Sequence, residues 1–104
     1  PAAVPKCRPR AGIRIEAVAL IETPEAFAAP VLADAQLMGL TPADCEARVN
    51  VNGSGISLGH PIGATGAMRL VTLVNEMRRR GARYGLETIC GGGGQGIAAL
   101  LARP

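Results

Sequence analysis

Aromatic side chains are nearly missing from this sequence of 104 residues, which holds one Phe, one Tyr and no Trp. A core without rings has to be assembled from Ala, Val, Leu and Ile, and the 14 glycines let backbone approach backbone closely. The same scarcity argues against binding of nucleic acid, because single-stranded bases stack on aromatic side chains. Cysteine is sparse as well: Cys7, Cys45 and Cys90 are odd in number and far apart, which argues against a disulfide framework and fits a reducing, cytoplasmic compartment. With His60 as the one histidine, at unrelated spacing from the cysteines, no zinc site or other metal site is expected. No apolar run reaches the roughly 20 residues of a membrane-spanning helix, since glycines and charges interrupt every stretch, and no membrane association is expected. A charged-then-apolar leader is also lacking, and because the first residue is Pro1 rather than Met, an upstream portion is expected to be missing.

Hydrophobic residues make up 48% of the chain, far from the composition of a disordered segment, and the length suits one core. The Pro-rich opening, residues 1–12, is expected to be a loose edge, and residues 13–104 a single folded segment. The formal charge of +3 has its local cluster at Arg78, Arg79, Arg80 and Arg83. That run reads as a solvated helix end, where cations suit the negative end of the helix dipole.

Ala17 to Ile21 is a short, bounded apolar stretch that predicts a buried strand, ended by Thr23 before Pro24. From Pro24 to Met38 the residues Phe27, Val31, Ala35 and Met38 recur at helical spacing, with Pro30 as an interior proline that should kink or restart the helix. Thr41 to Asp44 reads as a capped turn, and Arg48 to Asn52 alternates like a strand. A loop from Gly53 to His60 leads into a helix that starts at Pro61, carries Ala67, Leu70, Val71, Val74 and Met77 on one stripe, and stops at Gly81. Tyr84 to Cys90 and Gly96 to Ala102 are strand-like, separated by Gly91 to Gln95. The fold class is therefore α/β, a mixed sheet covered by helices.

Gly91, Gly93 and Gly96 satisfy G-x-G-x-x-G literally, yet a β-like run follows them where a dinucleotide site needs a helix. Gly59 to Gly66 lacks the lysine of a phosphate-binding loop. Two other residues carry more. His60 precedes a proline at a helix start and is suited to accept a proton or donate a hydrogen bond. Cys90 precedes glycines whose backbone N–H groups can point at a developing oxyanion. Together they point to acyl or thioester chemistry, against the bland alternatives of a structural loop histidine and an inert strand-end cysteine.

Val49-Asn50-Val51-Asn52-Gly53-Ser54-Gly55-Ile56-Ser57-Leu58-Gly59-His60-Pro61-Ile62-Gly63-Ala64-Thr65-Gly66 and Cys90-Gly91-Gly92-Gly93-Gly94-Gln95-Gly96 resemble the two C-terminal signatures of the thiolase family. Glu22 with Glu25-Ala26-Phe27-Ala28 resembles its third active-site segment, and the resemblance runs from Ala11 onward. It implies a thiolase-like fold and an acyl-CoA C-acyltransferase, cleaving 3-ketoacyl-CoA or condensing acetyl-CoA. Coenzyme A is then a substrate, no cofactor is bound permanently, and the whole enzyme is a homodimer or homotetramer. The resemblance implies further that His60 activates a nucleophilic cysteine located in an N-terminal half and serves in an oxyanion hole. Cys90 is then the acid/base, the N–H of Gly92 contributes to the other oxyanion hole, and Gly91 and Phe27 contact substrate. Two departures stand out. Pro24 replaces an asparagine that holds a catalytic water in the family, and Pro5 and Pro9 interrupt a stretch that is helical there. They favour the alternative of an impaired, thiolase-like remnant that binds acyl-CoA or lipid.

Overall fold

The structure, a computed structural model, describes residues 2–104, and of residues 8–10 the backbone. Three strands, β1 (Leu20–Glu22), β2 (Tyr84–Gly92) and β3 (Gln95–Ala102), form one mixed sheet in that order. β1 runs parallel to β2 with Ile21 opposite Leu86, and β2 runs antiparallel to β3 with Leu86 opposite Leu100. The hairpin turns at Gly93 and Gly94, both at positive φ (57° and 79°), where glycine carries no steric penalty.

Among the described residues, five α-helices surround the sheet: α1 (Ala3–Ala11), α2 (Ala28–Leu37), α3 (Pro42–Arg48), α4 (Gly55–Leu58) and α5 (Thr65–Arg80). Because side chains alternate along β1, Ile21 joins Val4 of α1, Ala35 of α2 and Leu86 on one face, while Leu20 joins Leu73 and Met77 of α5 on the other. The opening, expected to be loose because of its prolines, is helical from Ala3 to Ala11. Pro5 falls in the first turn, where no backbone N–H is required, and buried Val4 anchors the helix to the core. Pro1 and the side chain of Pro9 lie outside what the structure describes.

Pro30 resolves in the same way. The helix predicted from Pro24 begins four residues later, with Phe27 as its N-cap, so Pro30 lies in its first turn and no kink is needed. The strand predicted at Arg48–Asn52 is not formed. α3, fixed by a Thr41–Asp44 capping box, continues through Arg48, and what remains is an isolated parallel bridge from Val49 to Ile21. Asn50 then turns away at φ 48°.

On α5 the predicted limits hold to within a few residues, but of the stripe Met77 alone is buried and Val74 is half-buried. Its sheet-facing side is Thr65, Arg69, Leu73, Glu76 and Met77, and Ala67, Leu70 and Val71 are exposed. The helix carries apolar residues on two sides, and its buried side is the one that also carries charge. Leu73 is fully buried against Gly85, where an added Cβ would sit 2.9 Å from Leu73 Cδ1 and 2.5 Å from Met77 Sδ. Leu73→Ala removes the side chain that fills this contact and should lower unfolding stability by about 2–5 kcal/mol, read from urea denaturation.

Candidate active site

The C-terminal end of β1 meets the loop that leads to His60 through backbone and side-chain hydrogen bonds. Thr23 N donates to Asn50 Oδ1 at 2.8 Å, and Asn50 Nδ2 donates to Glu25 Oε1 at 2.8 Å. Glu25 Oε2 in turn accepts from Ile56 N at 3.2 Å, placing a carboxylate at the start of α4. Ser54 Oγ donates to Thr23 O at 2.5 Å and Gly55 N donates to Pro24 O at 3.1 Å. Glu25 and Asn50 both have positive φ (50° and 48°), a strained conformation for residues with a Cβ, and each is held there by the other's side chain. Gly55 is in backbone contact with the Pro24 turn: a Cβ there would lie 2.1 Å from Pro24 O.

His60 follows on this loop and is half-buried. Pro61, at φ −77° and ψ 64°, makes an inverse γ-turn in which Ile62 N donates to His60 O at 2.8 Å, and the chain doubles back into α5. The reversal brings His60 Nδ1 to 2.8 Å from the hydroxyl of Thr65, the first residue of α5, itself 1% exposed. Thr65 thereby occupies one ring nitrogen, Nδ1.

Cys90 is exposed near the end of β2, where the pairing with β3 is irregular between Cys90 and Gly92. It lines an open cleft of about 680 Å³ together with Pro24, Phe27, Val31, Ile89 and Gln95. Of the residues singled out from the sequence, Cys90 and Phe27 share this cleft, and Gly91 and Gly92 continue the strand from its rim, Gly92 at φ 84°. His60 is not among the lining residues. The loop that carries it is bonded to the cleft-lining Pro24 and Glu25 through Gly55 N and Ile56 N. The sequence reading missed Thr65, Asn50, Glu25 and Arg69. A threonine five residues after the histidine, at the first position of its helix, was the available signal for Thr65.

The acidic groups around the site are strongly perturbed. Burial pushes the Glu22 carboxyl up to about 7 against the attraction of Arg69, and burial also raises Glu87. Glu76 is held down at about 2 by its hydrogen bond from Arg79, with Arg80 and Asn52 adding to it.

Sheet order, helix placement and the two glycine-bounded segments define the C-terminal domain of a thiolase. A family model described as the thiolase C-terminal domain matches residues 1–103, and the chain belongs to that family. It is 53% identical over 94 residues to the beta-ketothiolase BktB of Cupriavidus necator, covering 90% of this chain and 23% of the relative. It is 55% identical over 94 residues to an acetyl-CoA acetyltransferase of Pseudomonas aeruginosa, with the same 90% and 23% coverage. A 3-ketoacyl-CoA thiolase of Vibrio vulnificus is 48% identical over 102 residues, covering 98% of this chain and 26% of the relative. The crystal structure of the Bacillus anthracis acetyl-CoA acetyltransferase superimposes with a TM-score of 0.86 at 43% identity, over 93% of this chain and 24% of that one. The chain thus spans about a quarter of the length of these relatives.

Proposed function

We propose that this chain is the C-terminal part of a thiolase-type acyl-CoA C-acyltransferase, which cleaves a 3-ketoacyl-CoA with coenzyme A or runs the reverse condensation of acetyl-CoA. The observation that carries the reading is Cys90, an exposed thiol at a strand end beside glycine backbone, in a cleft shared with Phe27 and the Pro24 turn. A cysteine supplied by another part of the enzyme takes the acyl group as a thioester when the bond between the α- and β-carbons breaks. The departing acetyl-CoA enolate then takes a proton from Cys90. In the second step the Cys90 thiolate removes the proton of the coenzyme A thiol, whose sulfur attacks the acyl carbon and releases the shortened acyl-CoA. His60 Nε2 activates the nucleophile and donates to the thioester oxygen of the enolate, and Gly92 N–H donates to the oxyanion of the acyl carbon. Gly91 and Phe27 contact the substrate. A homodimer or homotetramer in the cytoplasm, serving β-oxidation or its reverse, completes the proposal. It draws on the family and on three cysteines that form no disulfide.

The test is thiolysis of acetoacetyl-CoA by the full-length protein. Loss of the substrate's enolate absorbance on addition of coenzyme A supports the reading, and none at any enzyme concentration favours a remnant that only binds acyl-CoA. Pro24→Asn addresses the departure directly. Pro24 lines the cleft but has no side-chain amide, so the substitution adds a donor for a water at the enolate oxygen. One such donor is worth about 3 kcal/mol where it is fully aligned. kcat should rise about tenfold or more, and an unchanged kcat would show that another group already fills that role.

A further inference from the structure

Beneath the His60 loop lies a cluster of buried charge that the chemistry above does not use. Glu22 at the end of β1 and Glu87 on β2 are partners in the parallel register, so their side chains leave the sheet on the same side, toward α5. Both are buried, and Arg69, 2% exposed, rises from α5 to meet Glu22. Arg69 Nη1 is 3.6 Å from Glu22 Oε2 and donates to the carbonyl of Gly53 at 2.5 Å. Three atoms of the cluster, Glu22 Oε2, Arg69 Nε and Glu87 Oε1, have no hydrogen-bond partner among the described residues. An arginine on a helix face that otherwise packs Leu73 and Met77 against the sheet is costly to bury, and a merely structural contact would be served by an apolar side chain.

We propose that Arg69 is a positioning residue, which clamps the Gly53 carbonyl at the root of the His60 loop to the end of β1 and thereby fixes His60 relative to the Pro24 turn and Cys90. The proposal rests on the thiolase reading for its consequence in turnover, but not for its geometry. Gly53 is where the loop departs, and Asn50, Ser54 and Gly55 bind the same loop to Thr23, Pro24 and Glu25. Arg69 is the side chain that reaches both the loop and β1 from α5, the helix whose first residue holds the imidazole.

The clamp has a built-in charge condition. Glu22 faces Arg69 and Glu76 of α5, Glu25 of the turn after β1, and Glu87 of β2. Burial and the three neighbouring carboxyls favour a proton on Glu22 against the attraction of Arg69. Glu22, raised from 4.5 to about 7, binds that proton in the folded state at pH values where the unfolded chain has lost it. Its contribution is therefore complete below the unfolded value and is lost as pH rises through about 7. Each pH unit in that window lowers the folding equilibrium by up to tenfold for one proton.

The experiment is hydrogen–deuterium exchange by mass spectrometry on the full-length protein, corrected for intrinsic exchange, alongside thiolysis kinetics. In Arg69→Met, amides of residues 53–60 should exchange at least tenfold faster while those of residues 85–89 keep their protection. kcat should fall about a hundredfold with KM nearly unchanged, as expected for a misplaced catalytic group. Arg69→Lys should recover part of both. In the wild type the protection of residues 53–60 should decline from pH 5 to pH 7, and Glu22→Gln should flatten that decline. Wild-type protection of the loop in Arg69→Met, or equal loss of protection in β2, overturns the proposal. If Arg69→Met does not fold, a pH dependence of loop protection in Glu22→Gln identical to that of the wild type overturns it. An enzyme without thiolysis whose loop exchange follows the expected pattern would refute the thiolase reading and leave the clamp standing.

Discussion

Replacing Cys90 by alanine in the full-length enzyme should lower kcat for thiolysis by about 10²–10⁴-fold, the range typical of losing a general acid–base group, with KM and thermal stability nearly unchanged. The two halves of that expectation come from different features of the structure. Cys90 is exposed and belongs to neither buried cluster, so its removal leaves no cavity and little folding free energy is at stake. Its thiol nevertheless lies in the cleft with Phe27 and Pro24, at a strand end where the irregular pairing with β3 leaves glycine backbone beside it. A serine at this position keeps the shape and removes the acidity, so Cys90→Ser should be nearly as slow as Cys90→Ala. Equal wild-type rates in both would remove Cys90 from the mechanism and leave the bland reading of a strand-end cysteine.

How much of this was legible in the sequence depends on the range over which each feature is decided. The C-terminal limit of α5 was legible because Gly81 acts locally, and so was the β2–β3 hairpin around its glycines, whereas Pro61 forms a γ-turn and the helix starts four residues later at Thr65. The residues at Arg48–Asn52 alternate like a strand, but their conformation is decided from afar. Asn50 is held at positive φ by Thr23 and Glu25, 27 and 25 residues away. Likewise Glu25 at positive φ interrupts what reads as one helix from Pro24, and its conformation follows from bonds to Asn50 and Ile56. The exposed stripe on α5 failed for another reason: periodicity finds an apolar face and cannot choose between two. The charged pair Arg69 and Glu76, flanking Leu73 on one side of the helix, was the clue to the buried face. In the folded chain Arg69 meets Glu22 and the Gly53 carbonyl, and Glu76 meets Arg79, Arg80 and Asn52. His60 and Cys90 stood out because their neighbours are glycine and proline. The residues that orient them did not, because hydrogen-bond partners are unmarked until the chain is folded.

His60 should show the other large effect, and its neighbour separates orientation from chemistry. On the proposed mechanism His60→Ala removes both the activating base and a donor to the enolate oxygen, so kcat/KM should fall by about 10³-fold or more. Thr65→Val keeps the imidazole and the volume of the buried side chain but deletes the hydroxyl 2.8 Å from Nδ1. The ring is then free to rotate and to change tautomer, and a loss of about tenfold, confined largely to kcat, is expected. Thr65→Ser, which restores the hydroxyl, should recover most of it. On the proposed mechanism His60 and Cys90 both act on the enolate, so the double variant His60→Ala/Cys90→Ala should be scarcely slower than the worse single variant. Losses that multiply instead would mean that the two side chains contribute independently to one rate-limiting step, and a Thr65→Val enzyme as slow as His60→Ala would mean that the histidine matters through the packing of α5 rather than through its ring nitrogen.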